Sequence, residues 1–147
     1  MAETVRTLEA KLGWPRSLTE SLQKELRTHF AEAWVSGYEP LVSEMTNDPK
    51  DRHVAAVAVH CKAEAVVTFN LRHFRPEHLL AWNISAIHPD DFLIALYHRN
   101  PDLVTAKLQE QAKDRRRLLS QLCQILRPLV PNFVASVQHK GPITQSE

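Results

Sequence analysis

Glycine is scarce in this chain, with three glycines against nine prolines in 147 residues. No G-x-G-x-x-G or Walker A pattern occurs, which excludes the common glycine-rich nucleotide-binding loops. Cysteine is equally sparse, because Cys61 and Cys123 are the only two and form no C-x-x-C pair. Both lie in apolar helical patterns, which predicts two reduced, buried thiols in a cytoplasmic protein.

Charge and hydrophobicity exclude several further classes. The formal net charge is +1, so no overall basic field argues for nucleic acid and no acidic field argues against it. No apolar run reaches the roughly 18 residues of a membrane span, and the charged first residues do not predict a signal peptide. The eight histidines lack the paired spacing of a structural zinc site.

The apolar periodicities predict an alternation of helices and strands. Predicted helices span residues 3–12, 17–30, 51–62 and 89–98, and predicted strands span residues 65–69 and 83–88. The strand AVVTF at 65–69 is a continuous apolar run, typical of a parallel strand buried on both faces. This order predicts an α/β fold with a parallel sheet and right-handed crossovers, followed by helices after Pro101.

Polar side chains are predicted to meet at one edge of that sheet. Asn70 follows the strand AVVTF, and Asp48 and Asp51 begin the helix before it. Because ligands bind outside the carboxyl ends of parallel strands, these residues and Thr68 are expected to converge there. Grouped oxygen ligands suit Mg²⁺ or Mn²⁺. The spacing alone leaves a second interpretation open, in which the aspartates cap a helix and Asp48 precedes Pro49 at the first helical position.

The run D-P-K-D-R-H-V-A-A followed by A-V-V-T-F-N-L-R-H-F resembles the second half of a PIN domain, most closely the VapC-type ribonuclease toxins of toxin–antitoxin pairs. The resemblance extends over nearly the whole chain. It implies a PIN-like three-layer fold that cuts RNA with Mg²⁺ or Mn²⁺ and without a covalent intermediate. It implies metal ligation by Asp51, Glu3 and Asp48, with Asn70 in support.

Substrate-binding residues and domain boundaries are predicted from the same arrangement of elements. Arg72 flanks the proposed site and is expected to contact substrate phosphates, together with Thr68, Asn70 and His53. Residues 1–98 are predicted to form the PIN-like domain and residues 99–138 a C-terminal helical extension. Residues 139–147 are predicted to be a disordered tail.

Two departures from the PIN pattern stand out. His73 occupies a position where the family usually has an aspartate, and an imidazole cannot supply a carboxylate to Mg²⁺. No apolar strand carrying an aspartate precedes Glu3, so the predicted fold is incomplete at its N-terminus. A missing central strand leaves backbone groups unpaired, and the isolated chain is therefore not expected to hold the standard fold as a monomer.

Three ways of completing the sheet remain open at this point. A separate polypeptide, such as an antitoxin, supplies the strand; a second copy covers the gap in a homodimer; or the native protein is longer. The alternative function is a catalytically degenerate module that binds a partner protein or RNA without cleaving it.

Overall fold

The computed structural model describes the backbone of residues 2–139 and the side chains of residues 4–139. The chain forms two compact units that divide between Glu39 and Pro40. The predicted boundary between residues 98 and 99 stays a prediction. The predicted tail lies outside the described residues except for His139, which ends the last helix.

The first unit contains two helices and a short 3₁₀ turn. Helix α1 spans Ala2–Leu12, helix α2 spans Arg16–His29, and the 3₁₀ turn spans Ala31–Ala33. The buried Thr19 hydroxyl lies 2.6 Å from Oε1 of Glu9 and so connects the two helices. Helix α2 begins one residue before its predicted start, at Arg16, and Pro15 precedes it in an extended conformation.

The second unit begins with an α/β segment. A 3₁₀ helix at Glu39–Glu44 crosses the division, and it is followed by α3 (Arg52–His60), β1 (Ala65–Val67), α4 (Pro76–Leu79) and β2 (Ser85–Ile87). Strands β1 and β2 run parallel, with Val66 opposite Ala86. Helix-dominated architecture around a parallel pair of strands confirms the predicted α/β class.

The prediction that β1 is buried on both faces is wrong. Successive side chains of a strand point to opposite faces. Val66 is buried, whereas Val67 is 43% exposed and Phe69, just beyond the strand, is 58% exposed. Helix α3 packs against β1 and is itself buried through small alanines, of which Ala55 is fully buried. One face of β1 is therefore covered and the other faces solvent within the described part of the chain.

Four further helices complete the second unit. They are α5 (Pro89–Arg99), α6 (Pro101–Asp114), α7 (Leu119–Leu126) and α8 (Pro131–His139), and α5 packs mainly against α8. Their shared core includes Tyr97, Leu108, Leu122, Phe133 and Val134. Among the described residues, no helix combines the length and apolarity needed to cross a membrane.

Asp90 fastens α8 to the start of α5. Its carboxylate is buried and accepts hydrogen bonds from the backbone N–H groups of Asn132 and Phe133 and from the Asn132 side chain. These donors include backbone N–H groups of the first turn of α8, which have no partner inside that helix. Asp90 therefore joins α5 and α8, two of the helices that follow β2, through one buried charge.

Candidate metal centre

The loop after β1 is folded so that its polar side chains turn back toward α3. The backbone N–H of Thr68 donates to the carbonyl of Ile87, which continues the strand pairing by one residue. The Thr68 hydroxyl then accepts from the backbone N–H of Asn70 at 3.0 Å. A 3₁₀ turn at Leu71–His73 follows directly and places His73 close to Asn70.

The two aspartates lie in the turn that precedes α3. The Asp48 side chain accepts from the backbone N–H of Lys50 through Oδ1, at 3.0 Å, and so closes this turn. Asp51 occupies the capping position of α3, and its carboxylate points to His73 instead of to the first helical N–H groups. The predicted cap by Asp48 with Pro49 as first helical residue is wrong, because the helix begins later, at Arg52.

His73 joins both aspartates. Its Nδ1 lies 2.6 Å from Oδ2 of Asp51, and its Nε2 lies 3.7 Å from Oδ2 of Asp48. The side chains are 21% exposed for His73, 28% for Asp51 and 32% for Asp48, so the cluster is open enough to exchange a ligand with solvent. Two carboxylates and one imidazole thus share a small, half-buried volume.

This donor set fits a divalent cation. One ligand atom from each of the three side chains lies within 4.8 Å of the others, and no second such cluster occurs within residues 4–139. An octahedral ion with bonds of about 2.1 Å holds adjacent ligands ~3 Å apart and opposite ligands ~4.2 Å apart. Separations within this limit are compatible with three ligands around one ion.

Asn70 and Arg72 extend the cluster toward solvent. The Asn70 side-chain amide nitrogen lies 2.6 Å from Nδ1 of His73, and the Asn70 oxygen accepts from Nε of Arg72 at 3.2 Å. Arg72 is exposed, so its guanidinium is held at the rim of the cluster by one amide. Arg72 therefore adds a positive charge at the rim, next to Asn70.

Asn47, the residue before Asp48, has a buried polar group in need of a partner. It is 2% exposed, and neither atom of its side-chain amide has a hydrogen-bond partner in the described structure. Leaving a buried polar group unpaired costs about 1–3 kcal/mol.

The residues predicted from the sequence to form the site differ in where the structure places them. Asp48, Asp51 and Asn70 come together through His73, and Thr68 supports Asn70 from behind. Arg72 joins through Asn70. His53 lies in the first turn of α3 and is half-buried. Glu3 belongs to α1, but its side chain lies outside the described residues.

The residue that sequence reasoning left out of the site is His73. It was treated as a departure from the PIN pattern, yet it contacts more members of the cluster than either aspartate does. Its signal was its position, since it occupies the place of an acidic site residue in the motif that carries the resemblance.

A parallel α/β fold with a carboxylate–imidazole cluster beside the end of β1 defines a protein with a candidate divalent-metal centre. Comparison with known proteins assigns the family: the chain belongs to the VapC-like PIN-domain family. It is 37% identical over 141 residues to the Mycobacterium tuberculosis protein named "Putative ribonuclease VapC50". The match covers 93% of this chain and 81% of that protein. No family model and no solved structure matches the chain.

Proposed function

We propose that this chain is a metal-dependent endoribonuclease that acts as the toxin of a toxin–antitoxin pair in the cytoplasm. The observation that carries the proposal is the convergence of Asp48, Asp51 and His73 within 4.8 Å, in a chain of the VapC-like family. The similar protein is named as a ribonuclease, which gives RNA as the substrate class.

The chain's own residues divide the work at the proposed centre. Asp48 and Asp51 provide the negative charge that holds Mg²⁺ or Mn²⁺, and His73 fixes one oxygen of Asp51 by a 2.6 Å contact. Such a cation, when bound, supplies an activated water as nucleophile and offsets the negative charge that develops on a phosphate. No side chain needs to form a covalent bond to the substrate.

Substrate contacts are proposed for the residues at the rim. The exposed guanidinium of Arg72 is oriented by Asn70 and is suited to a phosphate oxygen of the RNA backbone. His53, in the first turn of α3, lies two residues after Asp51 and is half-buried. Arg72 and His53 together give the centre groups that can contact a phosphate, which two carboxylates alone do not provide.

A partner strand is the second part of the proposal. Within the described residues β1 pairs with β2 alone, and Val67 on β1 is 43% exposed. Parallel sheets are normally covered on both faces, and an open strand edge is a template for a further strand. We propose that an antitoxin or another separate polypeptide adds a strand to this edge, with a second copy of the chain as the competing occupant.

Cleavage of a labelled RNA by the purified chain tests the activity. We expect cleavage with Mn²⁺ or Mg²⁺, none with excess EDTA, and a loss of about 100-fold or more in Asp51→Ala. The control is His60→Ala, which removes an exposed imidazole at the end of the same helix. Equal cleavage by wild type and Asp51→Ala would show that a contaminant or another site acts, and binding of RNA without cleavage would favour the degenerate module.

A further inference from the structure

We propose that the ion at this centre is bound by Nε2 of His73 together with Asp48, and that His73 selects first-row transition-metal ions over Mg²⁺. Oδ2 of Asp51 then orients the imidazole from the side of the ring that faces away from the ion. The inference rests on the proposed function for the location of the centre, but it concerns which ion the centre prefers. Two aspartate ligands alone would not produce this preference for transition-metal ions over Mg²⁺.

The orientation of the His73 ring follows from the two groups that compete for Nδ1. Oδ2 of Asp51 and the amide nitrogen of Asn70 both lie 2.6 Å from this atom. A ring nitrogen either donates or accepts, so it satisfies one of the two. The bond to a carboxylate is charge-assisted and roughly twice as strong as a neutral one, which favours a hydrogen on Nδ1 that is donated to Asp51.

That choice leaves the lone pair on Nε2, the nitrogen that faces Asp48. In a neutral imidazole with a hydrogen on Nδ1, Nε2 is the acceptor and therefore the metal-binding atom. Nε2 lies 3.7 Å from Oδ2 of Asp48. This separation falls between the ~3 Å of adjacent ligands and the ~4.2 Å of opposite ligands around an ion with bonds of about 2.1 Å.

A carboxylate behind the ring is the usual support of a metal-binding histidine. Such a carboxylate fixes the ring orientation and raises the basicity of the other nitrogen. Asp51 is placed to do this, because it begins α3 while His73 lies in the turn after β1, so the two are held by different elements. The contact is therefore a tertiary one between residues 22 positions apart.

The chemistry of the ligand atoms then determines which ion the centre prefers. Carboxylate and water ligands suit Mg²⁺, whereas an imidazole nitrogen suits transition-metal ions. The affinity of such a site generally increases along the series from Mn²⁺ to Cu²⁺. A centre with one nitrogen among its ligands gains affinity for Co²⁺ or Zn²⁺ and gains little for Mg²⁺. The selectivity is expected to depend on His73 and not on the aspartates.

Metal binding to the RNA-free chain tests this without an activity readout. Pulsed electron paramagnetic resonance of the Mn²⁺-loaded protein is expected to show coupling to one imidazole ¹⁴N in wild type and in His60→Ala. The coupling is expected to be absent in His73→Asp and His73→Ala. Calorimetric titrations with MgCl₂ and CoCl₂ give the ratio of the two dissociation constants, which we expect to favour Co²⁺ at least about tenfold more in wild type than in His73→Asp.

The outcomes separate this inference from the proposed function. Wild-type Mn²⁺ protein without ¹⁴N coupling overturns the inference whether or not the variants fold, and so does an unchanged Mg²⁺-to-Co²⁺ ratio in His73→Asp. Cleavage of RNA with no ¹⁴N coupling keeps the ribonuclease and rejects the imidazole ligand. Coupling that depends on His73, in a chain that cuts no RNA with any ion, keeps the metal centre and rejects the ribonuclease.

Discussion

Nδ1 of His73 lies 2.6 Å from Oδ2 of Asp51, and this contact turns the side chain at the start of α3 away from its own helix. An aspartate at this position usually bonds the first backbone N–H groups, and losing that cap costs about 1 kcal/mol. Helix α3 therefore lacks the side-chain cap that Asp51 could otherwise provide. A residue that gives up local stability for a tertiary polar contact is typical of a functional site.

Asn70 is predicted to act as a positioning residue at the metal centre. Its oxygen accepts from Nε of Arg72 and its amide nitrogen lies 2.6 Å from Nδ1 of His73, so removal of the amide frees Arg72 and opens space beside the imidazole. We expect Asn70→Ala to lower kcat/KM for RNA cleavage by about 10–100-fold. Because Asn70 follows the strand in a half-buried loop, the melting temperature should change little. Unchanged cleavage in this variant would remove Asn70 from the site.

Asp90 is predicted to control the stability of the second unit. Burial raises the pKa of Asp90, but hydrogen bonds from Phe133 and Asn132 outweigh burial and hold the pKa below its ordinary value. We expect Asp90→Ala to lower the free energy of unfolding by about 2–4 kcal/mol at pH 7, because several bonds to a charged group are lost. The exposed Asp91→Ala is the matched control in the same helix turn.

The contribution of Asp90 to stability is expected to decrease at low pH. A carboxylate whose folded pKa is lowered binds protons more weakly when folded, so its contribution is complete above the unfolded pKa of about 3.9. The contribution is lost as the pH falls through the lower, folded pKa. Urea denaturation is therefore expected to show a difference between wild type and Asp90→Asn that shrinks below about pH 4. A difference that grows with acidity would contradict the assignment.

The two cysteines are predicted to react at very different rates. Cys61 is exposed at the end of α3, whereas Cys123 is buried in the helical core. Burial raises the pKa of the Cys123 thiol, and Arg127 offsets this only in part. We expect a thiol reagent to modify Cys61 in the native protein and Cys123 only after unfolding. Mass spectrometry of the labelled peptides identifies the site, and equal labelling of both would show that α7 is not packed as described.

The open edge of β1 is predicted to drive association. A lone pair of strands is marginal in water, and Val67 presents an exposed apolar side chain on β1, which pairs only with β2 within the described residues. We expect concentration-dependent mass in sedimentation experiments, reduced by Val67→Lys and not by Leu12→Lys, which alters an even more exposed apolar residue, on α1. A monomer that melts cooperatively would show that no added strand is needed.

Much of the second unit could be predicted from the sequence because its signals are local. The apolar runs around Val66 and Ala86 are short, bounded and separated by helix-compatible sequence, which gives parallel strands. Asp51 and Asn70 were predicted to meet because they flank a helix start and a strand end, and those two points share one edge of a parallel sheet.

The remaining features depend on contacts that no local pattern encodes. The AVVTF run predicts burial on both faces, but burial of Val67 requires a neighbour that the described residues do not supply. Cys61 is apolar in pattern but lies at the end of α3, where the helix emerges into solvent. His73 was passed over because it was judged only as a missing carboxylate, and its contacts with Asp48 and Asp51 exist only in the folded chain.

Locating a bound ion is the most direct test of a metal centre formed by Asp48, Asp51 and His73. Crystals grown with MnCl₂ and measured near the manganese absorption edge give its position by anomalous scattering. We predict a peak at a bonding distance of about 2.0–2.3 Å from a carboxylate oxygen of Asp48 and from Nε2 of His73. A fully occupied Mn²⁺ elsewhere in the chain, with no peak between these side chains, would contradict it.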